Sequence, residues 1–264
     1  MPTTYTHDLF GRMIYRRLPQ EMKQVIRRNG NLYRIGLHGP DILFYDLLNL
    51  KVTGTGVEMH NTPAANFFLR GMDVVRTRGD ERLLAYLLGF GCHYLLDSVC
   101  HPFVGEMAQK KVISHTLLEK EFDRELMIET NRDPHHFYPS DCIVPRVSYA
   151  RVIHRVFPNI STKTLFFCLR MMKFITNMMV YDNNGKRRFL VAAVTRVVGK
   201  KRSDTVLEHF MQKEPVVGSE EPVRELREYF DRAVEEAPGY LEELFRLSKE
   251  ELPLSERWYR TYNG

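Results

Sequence analysis

The stretch GFGCHYLLDSVCHPF, Gly89 to Phe103, carries three side chains of metal-ligand type, His93, Asp97 and His101, in an otherwise strongly apolar run. In a helix, residues four apart drift by only about 40° per step, so all three project from nearly one face. Tyr94, Leu95, Leu96, Val99 and Phe103 leave the helix almost no polar side, and the ligand face is therefore expected to point inward. Two imidazoles and a carboxylate are costly to bury unpartnered, and a divalent metal satisfies all three together.

Downstream, SHTLLEKEFD repeats the device with His115 and Glu119 four apart. A short connection through Pro102 and Gly105 is expected to pack the two helices antiparallel with their ligands converging. Five candidate ligands exceed what one tetrahedral zinc uses, so two or more metals are expected. Upstream, His7 in YTHDLFG, Asp41 in HGPDILF and His60 in EMHNTPAANFF each precede or open an apolar helix. A lone histidine there is more often a core residue, but a multinuclear site needs more donors than two helices supply.

Apolar residues recur every three or four positions along the whole chain, and nothing reads as a set of strands, so the expected fold class is all-α. Helices are expected over 7–18, 20–29, 31–38, 62–78, 81–103, 106–130, 145–156, 161–181, 186–199, 203–212, 220–236 and 239–250, with Asp80 and Ser161 as caps. At 264 residues, 44% apolar and 27% charged, the chain reads as one helical domain, 1–264, with a metal-site half over about 1–140 and a helical half over about 141–264. Residues 131–139, with His135 and His136, read as a loop, and His38 as a surface turn histidine. Thr164 to Tyr181 has nearly the length of a membrane span but holds Arg170 and Lys173, so it reads as a buried core helix. No secretory signal pattern opens the sequence, and a cytoplasmic protein with Cys92, Cys100, Cys142 and Cys168 as free core thiols is expected.

The net charge of +5 is unevenly spread. Lys186 to Arg202 holds seven basic residues and no acidic one, while Ser219 to Glu251 holds eleven acidic and five basic. Solvated helix faces account for most such runs; the alternative for Lys186–Arg202 is peripheral contact with an anionic membrane.

The ordered series His7, Asp41, His60, His93-x3-Asp97-x3-His101, His115-x3-Glu119 resembles the zinc-dependent phospholipase C family, typified by bacterial phosphatidylcholine-hydrolysing enzymes and related to the secreted trinuclear-zinc nucleases of fungi. The resemblance covers roughly residues 1–125 and implies a single multi-helix bundle of that type. It implies that Asp41, His60, His93 and Asp97 bind one zinc and that His101, His115 and Glu119 bind a second. A third would be held by the N-terminal residue, His7 and a bridging Asp97. The chain begins Met1-Pro2 where the secreted enzymes expose a tryptophan, and the gap from Asp97 to His101 is tighter than in the best-known members. Two zincs are therefore expected, with the third depending on the terminus.

The implied chemistry is hydrolysis of a phospholipid or other phosphodiester. Water attacks phosphorus in line with a departing alkoxide, and Asp41 is the implied general base. Three other readings stand beside it. His7-Asp8 is an HD dipeptide, as in metal phosphohydrolases of that type, though no histidine lies upstream. A nuclease could use the same metals, with Lys186–Arg202 on a nucleic-acid backbone. A non-catalytic protein could keep the metals as a structural clamp.

Overall fold

A computed structural model describes residues 4–180, 184–196 and 206–264. The α-helices are α1 (Thr4–Arg17), α2 (Gln20–Arg28), α3 (Gly30–Gly36), α4 (Leu50–His60), α5 (Ala65–Arg78), α6 (Glu81–Gln109), α7 (His115–Glu129), α8 (Val147–Ile153), α9 (Thr162–Met178), α10 (Lys186–Arg196) and α11 (Glu220–Leu247). Short 3-10 segments cover Gly39–Tyr45, Pro139–Cys142 and Glu256–Tyr259, and there is no strand among the described residues. The chain is all-α.

α6 is the axis of the molecule, and every side chain from Leu83 to Cys100 is buried. It is long and apolar enough to cross a membrane, but its apolar stretch lies wholly inside the protein. Asp80 starts it, accepting a hydrogen bond from the Leu83 amide at 3.2 Å and pairing with Arg155. α1, α3, α5, α7 and α11 wrap around it. α3 comes closest because glycines meet at the crossing. A β-carbon at Gly89 would run into the Tyr33 carbonyl, and one at Gly36 into the Tyr86 carbonyl.

Several elements differ from expectation. α6 does not stop near Phe103 but runs through Pro102 to Gln109, so the connection to α7 is residues 110–114 and α7 begins at His115, not 106. A proline inside a helix costs about 3 kcal/mol. Burial of Phe103 and Val104 just beyond it returns roughly 1.5–3 kcal/mol each, enough to carry the helix on. α11 likewise passes through Pro238 instead of breaking there. α4 lies over a stretch where no helix is expected, and the helix expected from residue 62 begins at Ala65. α9 is not a buried core helix. It buries Leu165, Cys168, Leu169, Met172 and Thr176 on one face and exposes Phe167 and Phe174 on another. The core helix of the fold is α6. Parts of the helices expected over 161–181, 186–199 and 203–212 fall outside the described residues. The four cysteines are free and buried.

Candidate metal centre

Three elements carry the inner wall of the site. α6 presents His93 and Asp97 on adjacent turns, both buried, with His101 one turn further on and partly exposed. The 3-10 segment Gly39–Tyr45 delivers Asp41 after a turn that only glycine accommodates. Gly39 has φ +48°, and a β-carbon there would overlap the His93 ring. α1 brings His7, stacked on His93 with ring centroids 4.4 Å apart. Its start is pinned to α7 by Asp123, whose Oδ1 accepts from the Thr6 amide at 2.8 Å and from the Thr6 hydroxyl at 2.6 Å.

The outer wall comes from helix ends. His60 is the last residue of α4, and its Nδ1 donates to the Gly56 carbonyl at 2.8 Å, which turns Nε2 toward Asp41. His115 opens α7 directly after Ser114, whose hydroxyl caps the helix by accepting from the Leu117 amide at 3.2 Å. One turn on, Glu119 Oε1 lies 3.0 Å from His115 Nε2 and 3.4 Å from His101 Nε2.

Asp97 stands at the centre. Its Oδ1 faces His7 Nε2 at 3.3 Å and His101 Nε2 at 3.5 Å, while its Oδ2 faces His93 Nε2 at 3.0 Å and His60 Nε2 at 3.8 Å. Asp41 meets His60 through Oδ1 at 3.1 Å and His93 through Oδ2 at 3.5 Å. The eight side chains singled out in the sequence thus converge in one place. They form three groups able to hold a cation, each with ligand atoms within 4.8 Å of one another: His7, His93 and Asp97; Asp41, His60 and His93; and His101, His115 and Glu119.

Whether a metal fits is answered by the polar atoms left over. His93 Nδ1, Asp41 Oδ2 and Glu119 Oε2 are buried without a hydrogen-bond partner among the described residues, and His93 Nε2, although 3.0 Å from Asp97 Oδ2, is not aligned for a hydrogen bond. Native proteins rarely leave such atoms unsatisfied. A donor set of imidazole nitrogens and carboxylate oxygens suits zinc.

The electrostatics point the same way. Burial alone would raise the Asp97 carboxyl, but His101, His93 and His7 hold it well below the usual range. Glu119 is likewise held well down against burial by His115 and His101. Burial works to lower His101, yet Asp97 and Glu119 raise it to about 9. His7 and His60 are also raised against burial, His7 chiefly by Asp97 and His60 chiefly by Asp41. Protons are therefore favoured in the metal-free cluster where cations would otherwise sit.

Other histidines fall elsewhere. His136 pairs at the surface with Asp133, Nδ1 to Oδ2, at 2.7 Å. His38 is not a surface residue: it is buried beside Cys142, its Nε2 3.6 Å from the sulfur. Burial, then His7, His93 and Arg34, hold it well below the ordinary histidine value. Asp8, the second half of the HD dipeptide, is engaged by Arg34 in two bonds of 2.7 and 2.8 Å and by Arg12 at 3.1 Å. Two residues absent from the sequence reading reach the cluster. Tyr262 packs its ring 5.1 Å from His60 and 5.9 Å from His93. Asn263 hydrogen-bonds His101. Neither belongs to a periodic pattern, so no signal in the sequence points to them.

Comparison with known proteins returned no match among curated proteins and none among solved structures. A family model described as zinc-dependent phospholipase C matches residues 6–157, more than half of the chain and a span that holds all eight converging side chains.

Proposed function

The chain belongs to the zinc-dependent phospholipase C family, and on that premise we propose that it hydrolyses phosphodiesters, phospholipids first among them, at a multinuclear zinc site. The observation that carries this reading is the convergence of five imidazoles and three carboxylates with buried donor atoms left unsatisfied. Asp41, His60, His93 and Asp97 would hold one zinc, and His101, His115 and Glu119 a second. His7 with Asp97 would contribute to a third; residues 1–3, where its remaining ligand is expected, lie outside the described residues.

Bound zinc would supply positive charge for the phosphoryl oxygens and acidify the attacking water. The chain does the rest. Asp41 is the general base: His60 orients its carboxylate through Oδ1, and Oδ2, without a hydrogen bond, is free to accept the proton of that water. Buried His7, His93 and Asp97 close the inner side to solvent. His115, its side chain 39% exposed, marks the side from which a diester would enter. α10 would assist at an anionic lipid surface, with Phe189 and Leu190 exposed beside Lys186 and Arg188; residues 197–202 of that basic run lie outside the described residues.

The test is a zinc count on the purified protein, with phospholipids, chromogenic diesters and monoesters, and single-stranded nucleic acid assayed in zinc and in chelator. Chelator-sensitive diester cleavage with about two zincs per chain is expected. His93→Ala should remove zinc that His136→Ala leaves in place. A metal-free protein, or a metallated one inert on every ester, defeats the reading.

A further inference from the structure

Asn263 lies outside the matched span, yet it joins two of the segments proposed to carry ligands. Its Nδ2 donates to the His60 backbone carbonyl at 3.2 Å and lies 3.3 Å from Asn61 Oδ1, while its Oδ1 accepts from His101 Nδ1 at 3.3 Å. The network fixes this amide orientation, because the flipped amide would set Oδ1 against two acceptor oxygens. An acceptor at Nδ1 keeps the proton of a neutral His101 on that nitrogen. The Nε2 lone pair is then directed toward Asp97 and Glu119, 3.5 and 3.4 Å away.

The segment bearing Asn263 is anchored before it reaches the histidines. Tyr94 donates its hydroxyl to the Arg257 carbonyl, and the Ala64 amide donates to the Arg260 carbonyl at 3.2 Å. Trp258 and Tyr262 are fully buried, and the Asn263 amide donates to Thr261 Oγ1 at 3.1 Å. The segment is thus held to α6 and to the start of α5 through Arg257 and Arg260, at contacts that involve no proposed metal ligand.

We propose that Asn263 is a positioning residue of the zinc site: by accepting from His101 Nδ1 it sets the tautomer and tilt of His101. The inference rests on the reading of His60 and His101 as zinc ligands, and the experiment separates the two. Full chains of the wild type, His101→Ala, Asn263→Ala and Asn263→Asp are stripped of zinc and titrated back against a chromophoric chelator, with helical content followed by circular dichroism. Outer partners of metal-bound histidines are typically worth roughly 10–100-fold in affinity. Asn263→Ala should weaken one zinc by about that factor with unchanged helicity. Asn263→Asp, which still accepts from His101 Nδ1, should stay within severalfold of wild type. A wild-type chain that takes up no zinc removes both the reading and the inference. Loss of a zinc in His101→Ala with full affinity in Asn263→Ala overturns the inference alone. Equal losses in Asn263→Ala and Asn263→Asp also overturn it, since only a structural tether to α4 would remain. If Asn263→Ala does not fold, Asn263→Leu, similar in size and unable to accept from His101 Nδ1, takes its place: weakened zinc supports the assignment and full affinity overturns it.

Discussion

Asp41 and Glu119 both lie among imidazoles, yet removing the charge from each is expected to have different consequences. Glu119 meets His101 and His115 through a single oxygen. Glu119→Gln should therefore release zinc and lose activity in proportion. Asp41 arrives on a separate segment, after Pro40, with one oxygen oriented by His60 and the other 3.5 Å from His93 Nε2 without a hydrogen bond. Asp41→Asn keeps the shape and one coordinating oxygen, so most zinc should stay while turnover falls by about 10²–10⁴, as for a lost general base. A zinc count and a diester assay on both variants check this, and near-normal turnover in Asp41→Asn removes the base assignment. Gly39 is expected to be equally intolerant for a different reason. Gly39→Ala combines a left-handed backbone, costing about 1–2 kcal/mol, with a displaced His93 ring, and should lower zinc affinity as well as thermal stability. At this scale, the eight converging side chains could be read from the sequence because five of them sit at spacings of four on two helices. Gly39 and Asn263 could not. One acts through a backbone angle and the other through a contact 162 residues away from His101.

The helices that carry the cluster owe their position to α6, and the tightest constraint on α6 is its crossing with α3. Gly89 sits against the Tyr33 carbonyl, a backbone atom that no rotamer change can move aside. Gly89→Ala should force the helices apart and cost about 2–3 kcal/mol, in the range of an overpacked core. For a chain of this length that is a Tm lower by roughly 5 °C or more. Gly105→Ala, on the same helix with open space at its β-carbon, is the control and should be neutral or slightly stabilising. Thermal denaturation of the pair checks the prediction; equal Tm values would mean that the crossing yields. Helix signals were clear where they were periodic and capped, as at Asp80 for α6 and Ser161 for α9. They failed where tertiary contact overrides local preference. α4, LKVTGTGVEMH, has two glycines and several β-branched residues, and it is helical because Val52 and Gly56 pack inward, Gly56 against Phe44. The prolines at 102 and 238 mislead for the same reason: each lies in a helix whose neighbouring turns are held by buried side chains.

Across the whole molecule, metal and protons would compete for one cluster under the proposed function, and that competition would give stability a pH dependence of definite sign. In the metal-free chain His101 is raised to about 9, above an unfolded value near ~6.5. Its stabilising contribution is therefore complete below about 6.5 and is lost as pH rises through about 9. His7 and His60, also raised, act in the same direction. Asp97 and Glu119 are held low, so their contribution is present above about 4 and disappears only as pH falls through their depressed values. These cluster groups should thus stabilise the metal-free protein most between roughly pH 4.5 and 6.5 and less toward 9, whereas buried His38, held low, adds stability that is lost as pH falls below about 6.5. Zinc behaves oppositely, because it binds neutral imidazole and its apparent affinity rises as competing protons leave. The Tm difference between zinc-loaded and chelated protein should accordingly widen from pH 6 to pH 9, approaching the effect of about 4 kcal/mol that a ligand exerts at a thousand times its Kd. Below about pH 5 the two curves should converge as zinc is displaced. The same linkage requires protons to be released when zinc binds at pH 7, so the calorimetric binding enthalpy should vary with the ionisation enthalpy of the buffer. Differential scanning calorimetry at pH 5, 7 and 8.5, with and without chelator, measures the first effect, and zinc titration in two buffers measures the second. A Tm gap that narrows as pH rises, together with an enthalpy independent of buffer, would mean that zinc does not occupy these histidines.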